Sequence, residues 1–175
     1  IIGSNGLLHT DVYNKMFKFI IIRNPWEKLV SAYCRRLKRY CISSRSTYNA
    51  LTFEKFIGFI VQTNNSCGYS SDKHLVDFNK RIVRPYYSIA SPQYRYVFDQ
   101  EDKQILDFVG RYENLQSDWQ KIRAKLTDRT CEILPVFEEI ERKSYQEFYT
   151  NKTKEIVGNL FKDDIETFGY TFDNE

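Results

Sequence analysis

An α/β fold in a single domain is what the sequence predicts, on three observations. A short apolar, β-branched run, Phe17-Lys18-Phe19-Ile20-Ile21-Ile22, stops abruptly at Arg23-Asn24-Pro25. Immediately after it, and again in later segments, apolar residues recur at the three- and four-residue spacing of a helix face. Strand-like and helix-like stretches then alternate along the chain, the pattern of an α/β fold. With 175 residues and 42% hydrophobic content, the chain is long enough for one sizeable core and leaves little room for a second, so residues 1–175 read as one domain.

The elements follow in order. Phe17–Ile22 is short and rich in β-branched residues, which predicts a buried strand ending in a turn. Pro25 suits the first turn of a helix, where its missing N–H costs nothing. A helix from about Trp26 to Tyr40 is therefore expected, with Trp26, Leu29, Val30, Tyr33 and Leu37 on one face. After the polar connection from Ser43 to Asn49, Thr52 opens a second helix in which Phe53, Phe56, Ile57, Ile60 and Val61 share a face. From Thr63 to about Ser91 the pattern weakens, predicting a long irregular segment or a short helix around Leu75, the kind of segment that often carries substrate contacts. Tyr94–Phe98 and Gln104–Tyr112 read as two strands around the polar turn Asp99-Gln100-Glu101-Asp102. Asn114 is expected to cap a helix bearing Leu115, Trp119, Ile122 and Leu126. Ser144-Tyr145-Gln146-Glu147 has the form of a capping box, and a last helix is expected from about Asn151 to Thr167, ending at Gly169.

Composition narrows the function classes. A net charge of +3 from 26 basic and 23 acidic residues is mild and interspersed, so bulk nucleic-acid binding is not indicated. The basic run Arg35, Arg36, Lys38 and Arg39 suits either an anion-attracting patch or a solvated helix face. Cys34, Cys41, Cys67 and Cys131 are too spread for a disulfide framework and include no C-x-x-C pair, so no metal site is expected from them. No stretch approaches the roughly 18 consecutive apolar residues of a membrane helix. The chain opens at Ile1-Ile2 without Met, so an N-terminally truncated domain is expected, with a membrane anchor possible only upstream. The 13 Phe and 13 Tyr predict a largely aromatic core with polar handles near the surface.

Chemistry concentrates at the first strand–helix junction. Free N–H groups and partial positive charge at a helix N-terminus, set beside Arg23, make an anion site. Ser31, two turns into the helix, reaches the same ligand if that ligand lies along the helix rather than at its tip. Arginine presents a planar fork matched to phosphate. The spacing equally allows Arg23 in a structural salt bridge and Ser31 facing solvent.

The whole stretch from Phe17 to Tyr33, FKFIIIRNPWEKLVSAY, resembles the 3'-phosphate-binding motif of the carbohydrate sulfotransferase family. The resemblance implies that Arg23 and Ser31 hold the 3'-phosphate of 3'-phosphoadenosine 5'-phosphosulfate (PAPS). Leu106-Asp107-Phe108-Val109-Gly110-Arg111-Tyr112-Glu113-Asn114-Leu115 resembles the family's downstream strand-to-helix segment. Arg111 is there either a second cation for the nucleotide or a partner for a local carboxylate such as Glu113. The tail from Ser144 to Phe172 is similar to the family's ending and contributes core. Continuous in order from about His9 to Phe172, the likeness is patchy between Tyr40 and Ser91. It implies a P-loop NTPase-like three-layer fold with a mostly parallel central sheet. The implied reaction is metal-free sulfuryl transfer from PAPS to a hydroxyl of a carbohydrate or glycan acceptor.

The family's opening strand, Lys- and Ser/Thr-bearing loop and helix, which cradle the 5'-phosphosulfate, have no counterpart here: Gly3-Ser4-Asn5-Gly6 has glycines but no Lys. The 175 residues alone are therefore expected to be poorly active. Sulfuryl transfer needs a base for the acceptor hydroxyl, and histidine suits neutral pH. His9 resembles the base of some family members; His74, in the irregular segment, is the other histidine, and a carboxylate remains an alternative. Arg45, Lys73, Lys80, Arg81 and Arg84 among Tyr69, Tyr86, Tyr87 and Tyr94 form a candidate acceptor surface. Competing readings are a P-loop kinase-like phosphotransferase and a non-catalytic module that binds an anionic ligand or glycan. By the family's habits the expected compartment is the cytoplasm if the source is bacterial, and the Golgi lumen if it is animal.

Overall fold

The computed structural model describes residues 10–42, 52–66, 89–126 and 143–173, a mixed α/β chain whose residues cluster into two compact units. One unit takes in Ile1–Ile22 and Val97–Pro135, the other Arg23–Tyr96 and Val136–Glu175.

In the first unit a short helix α1 (Thr10–Lys15), which the sequence pattern did not predict, leads to β1 (Phe19–Ile22). β1 pairs in parallel with β2 (Phe108–Arg111), in a register that sets Phe19 opposite Phe108 and Ile22 opposite Arg111. Asp107 locks the start of this ladder: its carboxylate accepts from the Lys18 N–H at 2.7 Å and meets the Lys18 ammonium at 3.1 Å. Those contacts, the backbone one first, hold the Asp107 carboxyl below its usual range. Gly110 is required by close approach, since a Cβ there would lie 2.6 Å from Ile21 Cδ1 and 3.2 Å from Asp118 Cβ. A 3₁₀ turn (Tyr112–Asn114) then enters α5 (Leu115–Lys125), which buries Ile122 and Asp118.

The second unit is helical. The helices α2 (Pro25–Ile42) and α3 (Phe53–Ser66) contribute Trp26, Leu29, Val30, Tyr33, Phe53, Phe56, Ile57 and Ile60 to one core, and Tyr145, Val157 and Phe161 from the C-terminal segment complete it. Each fully buried large apolar side chain stabilises by about 1.5–3 kcal/mol. The aromatic expectation holds: Tyr33 packs edge-on to Phe53 with centroids 5.2 Å apart, and Phe53 meets Tyr149 at 4.9 Å. The short helix α4 (Tyr94–Val97) has its last residue, Val97, in the first unit, and α6 (Asn151–Leu160) and α7 (Lys162–Phe168) follow in the C-terminal segment. Gly169 ends α7 in the left-handed region at φ 66°, with the Tyr170 N–H donating to Ile165 O at 3.1 Å.

Several expectations need correction. Tyr94–Phe98 is not a strand: the Gln93 and Tyr94 N–H groups both donate to the Asp164 carboxylate, which starts a helical turn instead. Only Phe98 makes a bridge, antiparallel to Gln104, and β2 begins later than predicted, at Phe108. α3 continues through the polar residues to Ser66, helped by the Thr63 hydroxyl donating back to Phe59 O at 2.7 Å. Asn114 ends the 3₁₀ turn and makes no side-chain cap on α5. Ser144 likewise caps nothing with its side chain, which pairs with Gln146, while Tyr145–Phe148 forms a 3₁₀ turn. The capping box lies at Thr150 and Thr153, each side chain bonding the other's backbone N–H at 3.2 and 2.9 Å. The single last helix is two, because Phe161 leaves helical dihedrals at φ −113°, ψ 31°; the break seats Phe161 in the core, and the next turn carries Asp164 to Gln93. The expected short helix around Leu75 lies outside the described residues.

Candidate anion-binding site

Arg23 and Asn24 join the end of β1 to Pro25, the first residue of α2. Asn24, only 3% exposed, is the N-cap. Its Oδ1 accepts from the Trp26 N–H at 3.1 Å, its backbone O accepts the first intrahelical bond from Lys28 at 2.8 Å, and its Nδ2 donates to Thr171 O at 3.0 Å. Trp26 is pinned in turn, its indole N–H donating to Lys154 O at 3.1 Å and its own carbonyl accepting from the Tyr149 hydroxyl at 2.9 Å. Burial pushes that hydroxyl's pKa well up. The Asn24 cap thus satisfies the Trp26 N–H at the helix tip, while the side-chain donors for an anion lie along the helix side.

On that side stands Arg23. Glu27 and Ser31 lie one turn apart on the flank of α2, and the side chain of Arg23, which precedes the N-cap, reaches along that flank to both. Arg23 Nη1 donates to Ser31 Oγ at 3.1 Å, and Arg23 Nη2 meets Glu27 Oε1 at 2.6 Å. The Arg23 and Glu27 side chains are 16% and 22% exposed, so the pair is shielded yet reachable. Arg23 thus has the salt bridge that one reading expected, while Ser31 accepts from Arg23. Because the Ser31 oxygen accepts from Arg23, its own O–H points a donor elsewhere. A guanidinium and a hydroxyl donor side by side are the chemistry that grips a phosphate, while Glu27 fixes the plane of the fork.

The Arg23 backbone is held as well. Its N–H donates to Gln93 Oε1 at 2.9 Å and its carbonyl accepts from Gln93 Nε2 at 2.8 Å. Asp164, fully buried, accepts from the N–H groups of Gln93 at 2.8 Å and Tyr94 at 2.7 Å. Lys28, behind this group, donates to Ser91 O at 3.0 Å and lies 4.7 Å from the Phe161 ring centroid. Burial lowers its pKa to about 8, against the opposing pull of Asp164.

Arg111 belongs to the other unit. Its N–H donates to Asp118 Oδ2 at 2.7 Å, and Lys121 meets Asp118 Oδ1 at 2.7 Å. Burial pulls the Asp118 carboxyl upward, but Lys121, the Arg111 N–H and the nearby charges hold it below its usual range. The structure brings Arg23 and Ser31 together in one unit, and Arg111 lies in the other. His9, His74 and the acceptor-surface residues Arg45, Tyr69, Lys73, Lys80, Arg81, Arg84, Tyr86 and Tyr87 lie outside the described residues. Arg35 of the basic run is exposed. Among the described residues no group of His, Cys, Asp or Glu is arranged to hold a metal ion, and no helix is long and apolar enough to cross a membrane.

Sequence reading missed Glu27, Gln93 and Asp164. Glu27 had a signal, its four-residue spacing from Arg23; the other two act from distant segments and had none.

Searches against curated proteins and against solved structures found no match. A sequence model described as the sulfotransferase family matches residues 4–171, a span that takes in β1, the Arg23–Ser31 pair, Arg111 and the C-terminal helices. With that match running over nearly its whole length, the chain belongs to the sulfotransferase family.

Proposed function

We propose that the protein transfers a sulfuryl group from PAPS to a hydroxyl of a carbohydrate or glycan, with Arg23 and Ser31 gripping the donor's 3'-phosphate. The observation that carries the reading is the approach of Arg23 Nη1 to Ser31 Oγ at 3.1 Å, inside the span matched by the family. A phosphate set against this pair receives charge-assisted bonds from the fork and a bond from the hydroxyl, each of the former contributing about 1.5–3 kcal/mol.

PAPS supplies an activated sulfuryl group, and 3'-phosphoadenosine 5'-phosphate (PAP) is what leaves. In the transfer the acceptor oxygen bonds to sulfur, the bond from sulfur to the phosphate oxygen breaks, and the hydroxyl proton passes to a base. By resemblance that base is His9, and Arg111 is a second cation for the nucleotide; no metal takes part. Developing negative charge on the departing phosphate is best met by fixed cations, which need no reorganisation as the reaction proceeds. Arg23, held at both its peptide and its guanidinium, suits a fixed hold on the 3'-phosphate, which orients the nucleotide, while the charge on the departing 5'-phosphate falls to other cations. The parallel pairing of β1 with β2 supports a P-loop-like three-layer architecture of one sulfotransferase domain. The compartment follows the source, cytoplasm for a bacterium and Golgi lumen for an animal.

The test is to incubate the protein with PAPS and a panel of neutral and acidic oligosaccharides, with ATP in a parallel reaction, and to seek products by mass spectrometry. Sulfated oligosaccharide from PAPS and no product from ATP is the expected result. Phosphorylated product from ATP would instead make the protein a phosphotransferase. An oligosaccharide that binds but yields no product from either donor would instead make it a non-catalytic glycan-binding module.

A further inference from the structure

We propose that Gln93 and Asp164 are positioning residues for Arg23, setting affinity for the 3'-phosphate without touching it; this rests on the reading of Arg23 and Ser31 as the 3'-phosphate clamp. The strand ladder ends at Ile22, paired with Arg111, so the Arg23 peptide lies one residue beyond the last ladder pair. Gln93 takes over there. Its side-chain amide accepts the Arg23 N–H and donates to the Arg23 carbonyl, at 2.9 and 2.8 Å, as a neighbouring strand would.

Gln93 is itself fixed by a buried carboxylate. Asp164 Oδ2 accepts the Gln93 N–H at 2.8 Å and lies 3.4 Å from Gln93 Nε2, while Oδ1 accepts the Tyr94 N–H at 2.7 Å. Burying a carboxylate completely is costly, and apolar packing between the same segments would stabilise at least as well. What the polar arrangement adds is direction. One carboxylate sets the amide plane of Gln93, that amide sets the Arg23 peptide, and the far end of Arg23 is set by Glu27 and Ser31. A long, rotamer-rich side chain is thereby held at its root and at its tip, so less freedom is lost when a phosphate binds.

The experiment is calorimetric titration of the full chain with PAP and, separately, with adenosine 5'-phosphate, which lacks the 3'-phosphate. Gln93→Met removes both amide arms at nearly constant volume, and Asp164→Asn, isosteric, tests the same relay should Gln93→Met not fold. Thermal unfolding is followed for each. Misplacing a binding group by a fraction of an ångström is expected to weaken PAP roughly tenfold, with adenosine 5'-phosphate unchanged; a variant that merely loosened the fold would weaken both. Equal weakening of both nucleotides, or folded variants that bind PAP as the wild type does, would overturn the positioning role while leaving the clamp intact. A wild type that does not prefer PAP over adenosine 5'-phosphate would overturn the clamp itself, and the positioning role with it.

Discussion

Arg23 and Arg111 are supported in opposite ways. Each has its backbone N–H accepted by a side chain, but Arg111 is held by Asp118, seven residues on, whereas Arg23 is held by Gln93, 70 residues away, and through it by Asp164. The carboxylate behind Arg111 is balanced by Lys121, an exposed side chain on the same helix. That behind Arg23 is fully buried and draws on two backbone N–H groups, with the buried ammonium of Lys28 in its field. Local support survives changes elsewhere in the chain. Distant support ties the geometry of one side chain to the packing of several segments, and suits a residue whose position matters more than its presence.

The contrast makes its largest claim on the two carboxylates. Asp164→Ala strands two buried N–H groups and leaves the Lys28 ammonium without its counter-charge, and is expected to lower unfolding stability in urea by about 3–5 kcal/mol. Asp118→Ala strands fewer groups beside water, at about 1–3 kcal/mol. Equal losses would break the contrast between distant and local support.

Lys28 sharpens it through pH. Its pKa is lower folded, about 8, than its ordinary 10.5, so between these values the unfolded chain binds the extra proton. The penalty for burying the ammonium is therefore full below about pH 8 and is relieved as pH rises towards 10.5. A depression of this size corresponds to about 3 kcal/mol. Lys28→Met should thus be most favourable relative to wild type near pH 6–7, and its advantage should shrink by up to about 3 kcal/mol by pH 10. A difference independent of pH would remove Lys28 from the account.

The smallest effect concerns the Arg111 side. Gly110→Ala would push a methyl against Ile21 and Asp118, and should cost about 1–3 kcal/mol by overpacking, seen as a lower melting temperature. An unchanged melting temperature would show that Ile21 and its neighbours can give way to the methyl without cost.

How much of this could be read beforehand follows the same division. β1, α2 and α3 were legible because β-branched runs, an N-terminal Pro and three-to-four-residue spacing are local signals. The Arg23–Ser31 pairing was legible only through the family resemblance, since spacing alone left it open: Arg23 precedes α2, and its long side chain must reach along the helix to meet Ser31. Gln93 and Asp164 were not, because a hydrogen bond across 71 residues leaves no periodicity behind. Capture of the Tyr94 N–H by Asp164 is also why the alternating Tyr94-Arg95-Tyr96-Val97 misled as a strand. The expected capping box at Ser144 failed for a related reason: Ser144 and Thr150 offer the same chemistry, and only the packing of the chain decides which one caps a helix.

The most direct test of the clamp is calorimetric titration of PAP into the wild type, Arg23→Ala and Ser31→Ala. Saturable binding is expected in the wild type, weakened about 10–100-fold in Arg23→Ala and about tenfold in Ser31→Ala, in keeping with the loss of charge-assisted and neutral hydrogen bonds respectively. An Arg23→Ala protein that binds PAP as tightly as the wild type would contradict the account.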